Sequence, residues 1–176
     1  MQESSSSLSG VQDLVAVVAQ LRSPEGGCPW DLAQTPETLI PHILEEAYEV
    51  VDAIRRGDPQ EIAEELGDLL LQVVLQAQIA QESAQFDLNT IALKIRDKLI
   101  RRHPHVFGDT VVTTAAEVHE NWERIKATEK GLTTPQESLL AKLQEYARVL
   151  PPLTAAHKIS AKAATIGFEF DDIQQV

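Results

Sequence analysis

Residues 35–83 read TPETLIPHILEEAYEVVDAIRRGDPQEIAEELGDLLLQVVLQAQIAQES, and this stretch decides the fold. Leu39, Ile40, Ile43, Leu44, Ala47, Val50, Val51 and Ile54 recur at the helical period. Thr35 offers a side-chain oxygen as N-cap and Pro36 suits a first helical turn, so the spacing predicts a helix running from there to about residue 56. Gly57-Asp58-Pro59 stops it and starts a second helix over about residues 59–83. A connection this short folds the two helices back as an antiparallel hairpin, with their apolar stripes buried against each other. The apolar run from Leu69 to Ile79 goes nearly all round its helix, which predicts burial on several sides, in a multi-helix core or at a subunit interface.

The flanking sequence is helical as well. A helix is expected over residues 11–22, broken by Ser23-Pro24-Glu25-Gly26-Gly27, with a loop to about residue 35 in which Trp30 is read as a packing anchor. Asp87 caps a helix to about residue 102, ended by His103-Pro104-His105, whose histidines are read as local caps or bridges. Helices over about residues 114–129 and 135–164 follow, the latter interrupted at Pro151-Pro152. The fold class is therefore all-α, an antiparallel helical bundle. A 43% hydrophobic fraction with only 5% aromatics agrees with this and gives an all-β reading little support.

The formal charge of −12, from 27 acids and 15 bases, argues against nucleic acid as a partner. One cysteine, Cys28, excludes an internal disulfide and a cysteine-rich zinc site, which fits a reducing cytoplasmic setting. The serine-rich residues 1–10 lack the pattern of a secretory signal and read as a flexible tail. The longest apolar stretches fall far short of the roughly 20 residues that span a bilayer, so no membrane association is expected.

Glu46 and Glu49 are three residues apart on the first hairpin helix, as are Glu65 and Asp68 on the second, and each pair shares a face. Counted from the turn, Glu49 and Glu65 lie about 12 Å out and Glu46 and Asp68 about 16 Å out, at ~1.5 Å rise per residue. Four carboxylates should therefore meet across the hairpin. Glu46 and Glu65 fall on the border of the apolar stripes, with Glu49 and Asp68 further round. Asp68, set among Leu66, Leu69, Leu70 and Leu71, is poorly placed for an uncompensated anion, so bases or a metal must neutralise the cluster. Hard oxygen donors suit Mg2+, with Mn2+ as a substitute, better than zinc. A solvated acidic face is the plainer alternative, disfavoured by the matched depths. A di-iron bundle is disfavoured because it wants paired Glu-x-x-His motifs, and His42 has the wrong spacing.

Glu45-Glu46-Ala47-Tyr48-Glu49 followed by Glu65-Leu66-Gly67-Asp68 resembles the EExxE and ExxD pair of the MazG nucleotide pyrophosphohydrolases. The resemblance extends to Cys28-Pro29-Trp30-Asp31, to Gln34-Thr35, and to the segment from Lys98 through Arg101-Arg102-His103-Pro104-His105 to Phe107. It implies an all-α protein, dimeric or higher, that cleaves nucleoside triphosphates between the α and β phosphates with magnesium. Carried over by motif position, Glu46, Glu49, Glu65 and Asp68 become metal ligands, and Glu45 a candidate for general-base work beside Glu46. It also implies a MazG-type domain over residues 11–130, followed over residues 131–176 by a helical linker and, at Ile166-Gly167-Phe168-Glu169-Phe170-Asp171, the opening of a truncated second domain.

A basic segment in an acidic chain makes Lys98, Arg101 and Arg102 candidate phosphate ligands, against the alternative of a solvated face favoured by the helix C-terminus. Trp122 and Lys126, one turn apart, are candidates to contact a base and a phosphate, with a core tryptophan as the alternative. The competing function is a noncatalytic module that binds metal and nucleotide, or dimerises, while a domain outside this chain performs the chemistry.

Overall fold

The computed structural model describes residues 9–132 and 134–168. Most of the tail (residues 1–8), Thr133 in the expected linker, and residues 169–176, with part of the segment read as a second domain, lie outside the described residues. The described residues form nine helices and no strand: α1 (Ser9–Leu21), α2 (Pro29–Leu32), α3 (Ile40–Arg56), α4 (Pro59–Glu82), α5 (Leu88–Arg102), α6 (Pro104–Phe107), α7 (Ala115–Glu129), α8 (Pro135–Val149) and α9 (Pro152–Ala164). None of these helices is long and apolar enough to cross a membrane. The chain divides into two compact units between Lys98 and Leu99, inside α5.

In the first unit α3 and α4 form the expected hairpin. Gly57 closes α3 in the left-handed region at φ 83°, where a side chain would be strained, and donates its N–H to the Ala53 carbonyl at 2.9 Å. Asp58 then caps α4 by accepting the Gln60 N–H at 2.9 Å, with Pro59 in the first turn. α1 packs on α4, and Val18, Leu39, Val74, Leu75 and Ile79 make the core, bordered by Leu14, Val15, Leu71 and Leu88. The buried Arg22, just past α1, donates to Glu82 through Nε at 2.9 Å and Nη2 at 2.7 Å, and through Nη1 to the carbonyls of Asp31 and Gln34. One guanidinium thus ties α1, α2 and the end of α4 together.

The first hairpin helix begins at Ile40, later than expected. Pro41 is the reason: in a helix begun at Pro36 it would sit in the interior, without an N–H and against the Glu37 carbonyl. Residues 35–38 instead close a turn in which the Thr35 N–H donates to Thr38 Oγ1 at 2.8 Å and the Thr38 N–H to Thr35 Oγ1 at 3.3 Å. The stripe of α3 is also less buried than expected. Val50 and Ala53 are buried against the hairpin, whereas Ile40, Leu44, Val51 and Ile54 are exposed, as are Leu66, Leu70 and Val73 on α4. The stripe is wider than one neighbouring helix covers. Trp30 is exposed too, edge-on to His42 at 5.8 Å between ring centroids, and so is no packing anchor.

The second unit holds α6 to α9. Thr114 and Thr134 open α7 and α8 with reciprocal capping boxes through Glu117 and Glu137. The expected interruption falls at Leu150 and Pro151, because α9 restarts at Pro152. Ion pairs from Lys142 to Glu123 at 2.5 Å and from Lys130 to Glu145 at 2.6 Å join α7 to α8.

Candidate metal centre

The hairpin positions the acidic residues. Glu46 and Glu49 share a face of α3, Glu65 rises from α4 at a similar distance from Gly57, and one carboxylate oxygen from each lies within 4.8 Å of the other two. Glu46 and Glu65 are half-buried and Glu49 is exposed, as expected for groups at and beyond the edge of the apolar stripe. Asp68 is exposed and is not part of this trio, yet its charge acts on both Glu46 and Glu65. It is not enclosed by the neighbouring leucines as its sequence setting suggested: Leu66 and Leu70 are themselves exposed.

The cluster disfavours its own ionisation. Burial raises the Glu46 carboxyl above the ordinary glutamate range, reinforced by a hydrogen bond with Glu49 and the charges of Asp68, Glu49 and Glu45. Burial likewise raises Glu65, reinforced by Glu49, Asp68 and Glu64 and opposed by Arg56. Arg56 is already engaged by Asp52 at 3.1 Å and Glu61 at 2.9 Å. Among the described residues, Glu46, Glu49 and Glu65 have no ion pair with a basic side chain. Three carboxylate oxygens gathered in this way are the residues that would hold a hard divalent cation, which would offset their mutual repulsion. The donor set is all hard oxygen, which fits magnesium or manganese. Glu45 is exposed, with His42 Nδ1 3.8 Å from its carboxylate.

The candidate phosphate ligands sit elsewhere along the chain. Lys98 is exposed at the end of the first unit. In the second, Arg101 and Arg102 converge on Glu129, a residue with no local sequence pattern to single it out: Arg101 Nε donates at 2.5 Å and Arg102 Nη2 at 2.6 Å. Hydrogen bonds from Arg102 and then Arg101 hold the Glu129 carboxyl down to about 2. Trp122 is half-buried, with the Arg102 guanidinium 5.3 Å above its ring and His103 edge-on at 4.9 Å. His103 Nδ1 lies 2.7 Å from the Leu99 carbonyl, the local bridge expected of it. Lys126 lies 3.3 Å from Glu123, whose other oxygen Lys142 holds.

Residues 34–107, which include all four acids and the Arg101-Arg102 segment, match the MazG nucleotide pyrophosphohydrolase domain. The nucleoside triphosphate pyrophosphohydrolase of Escherichia coli is 45% identical over 166 residues, covering 94% of this chain and 62% of the relative. The nucleoside triphosphate pyrophosphohydrolase/pyrophosphatase MazG of Thermotoga maritima is 41% identical over 165 residues, covering 94% and 61%. The chain thus spans about three fifths of the length of these curated relatives. The crystal structure of a mazG-related protein from Thermotoga maritima superposes with a TM-score of 0.55 at 28% identity, covering 65% of this chain and 97% of that one.

Proposed function

The chain carries a MazG nucleotide pyrophosphohydrolase domain at residues 34–107, and on that premise we propose that it hydrolyses nucleoside triphosphates, ribose or deoxyribose, between the α and β phosphates to monophosphate and pyrophosphate. The observation that carries this reading is the trio of Glu46, Glu49 and Glu65, with oxygens within 4.8 Å and no ion pair to a base among the described residues, on a hairpin inside the matched domain.

Glu46, Glu49 and Glu65 hold a magnesium ion, with Asp68 completing the set as the fourth ligand; manganese substitutes. When bound, the ion supplies charge neutralisation for the triphosphate and a water of lowered pKa. The chain's own residues do the rest. Glu46 and Glu45 are the candidate proton acceptors from the attacking water. Arg101, at the end of α5, Lys98 and Lys126 are the candidates for charge-assisted contacts to phosphate oxygens, and Trp122 is the candidate aromatic surface for a base.

The exposed apolar residues Ile40, Leu44, Val51 and Ile54 on α3 support a homodimer, since a stripe of this kind left open to water marks an association surface. The single cysteine and the proposed nucleotide substrate fit a cytoplasmic setting. The test is incubation with mixed ribo- and deoxyribonucleoside triphosphates, with and without magnesium, and resolution of the products. Monophosphate with pyrophosphate is the expected outcome; diphosphate with phosphate contradicts it.

A further inference from the structure

Arg101 and Arg102 are adjacent in the chain and bond the same carboxylate, yet their surroundings differ. Arg102 is only 12% exposed. Its Nε lies 3.1 Å and its Nη2 2.6 Å from Glu129 Oε2, and its guanidinium rests over Trp122. One edge and one face of that guanidinium are therefore committed inside the protein. Arg101 is 54% exposed and reaches Glu129 through Nε alone, at 2.5 Å from Oε1. Among the described residues its Nη1 and Nη2 have no partner. A guanidinium held at Nε keeps its terminal fork, the edge that matches two oxygens of a phosphate.

We infer that Glu129 is a positioning residue: it anchors Arg101 at Nε so that the terminal fork faces solvent as the phosphate contact, while Arg102 is a structural clamp for the same carboxylate. Glu129 is not a stand-in for phosphate that substrate displaces. Both its oxygens are engaged, Oε2 by the well-packed Arg102, so an incoming anion meets the free edge of Arg101 first. The inference rests on the triphosphate reading above, and its test includes binding as well as turnover.

The experiment compares wild type, Glu129→Gln, Glu129→Asp, Arg101→Gln and the Glu129→Gln/Arg101→Gln double variant in the full chain with magnesium. KM and kcat are measured for the nucleoside triphosphate turned over fastest, and the Kd of inorganic pyrophosphate by calorimetry, with circular dichroism as the check on folding. Glu129→Gln is expected to raise KM and Kd about tenfold with kcat within about twofold, the loss of one aligned charge-assisted contact. Arg101→Gln should do the same, the double variant no more than either single, and Glu129→Asp should recover part of the loss. A purely structural Glu129 would lower the melting temperature without this split between KM and kcat.

A folded Glu129→Gln chain with unchanged KM and Kd overturns the inference, as does one that binds more tightly, since the carboxylate would then be a competitor. If Glu129→Gln does not fold, Glu129→Asp and Arg101→Gln decide: a rise in both constants for each supports it, and wild-type constants for either overturn it. A wild type that binds pyrophosphate without hydrolysing any triphosphate sinks the enzymatic reading alone, and the positioning role is then judged on Kd. A wild type that does neither overturns both.

Discussion

Glu46 on α3 and Glu65 on α4 bring carboxylate oxygens within 4.8 Å of each other across a hairpin, and neither is ion-paired to a base among the described residues. Antiparallel geometry creates the approach: Glu65 comes level with Glu49, equally far from Gly57, and Glu46 stands one turn further along the same face of α3. The arrangement is unfavourable unless protons or a cation relieve it.

That strain fixes a sign for the dependence of stability on pH. Folded Glu46 and Glu65 have carboxyls raised above the ordinary value of 4.5, so their contribution is full below that value and is lost as pH rises through the raised one. In a chelator at pH 8, Glu65→Gln should therefore melt higher than wild type. Magnesium should reverse the order by stabilising wild type more than the variant. Thermal melts with and without magnesium check both halves, and a Glu65→Gln chain that melts lower in chelator sinks the argument.

Arg22 should respond in the opposite sense. Its hydrogen bonds hold the Glu82 carboxyl below the ordinary range, so the pair stabilises above pH 4.5 and fails as pH falls through the lowered value. Arg22→Met leaves the Asp31 and Gln34 carbonyls without their donor, while Glu82 remains partly open to water. A loss of about 1–3 kcal/mol is expected, below the 3–5 of a fully buried pair. Urea titration at pH 7 measures the loss, and acid titration should show the unfolding midpoint of the variant at higher pH.

Leu39 is fully buried at 0% exposure between α1 and α4, in the turn before α3. Leu39→Ala should cost about 2–5 kcal/mol through lost burial and the cavity left behind. Ile40→Ala, one residue on and exposed, should cost under about 1 kcal/mol in a monomer. Parallel denaturant titrations test the contrast, and equal losses would mean that the turn at residues 35–38 does not place Leu39 as described.

The same Ile40 stripe gives the prediction for assembly. Light scattering after size exclusion should return twice the 19.4 kDa chain mass. Leu44→Glu with Val51→Glu should return the monomer mass, with helical circular dichroism retained. A wild-type chain that is monomeric at micromolar concentration removes the dimer from the proposal.

Much of this was legible in residues 35–83, where periodicity, the Gly57-Asp58-Pro59 turn and the spacing of the acids are all local signals. The start of α3 was misplaced because two prolines compete for the first turn and only Pro41 would break the helix if placed inside it. The partial exposure of the α3 stripe was not legible, since a stripe says that a face is covered and not by what. Glu82 for Arg22 and Glu129 for Arg101 were missed for a related reason. Each partner lies tens of residues away in sequence, and nothing in an isolated glutamate marks the guanidinium it will meet.

The central claim is that the Glu46, Glu49 and Glu65 cluster makes pyrophosphate from nucleoside triphosphates with magnesium, and the direct measurement is pyrophosphate release by wild type and Glu46→Gln at equal concentration, with magnesium and with chelator. The account predicts pyrophosphate and monophosphate in equal amounts from wild type with magnesium only, and at least about a hundredfold less from Glu46→Gln. Release that persists undiminished in chelator or in a folded Glu46→Gln chain would contradict it.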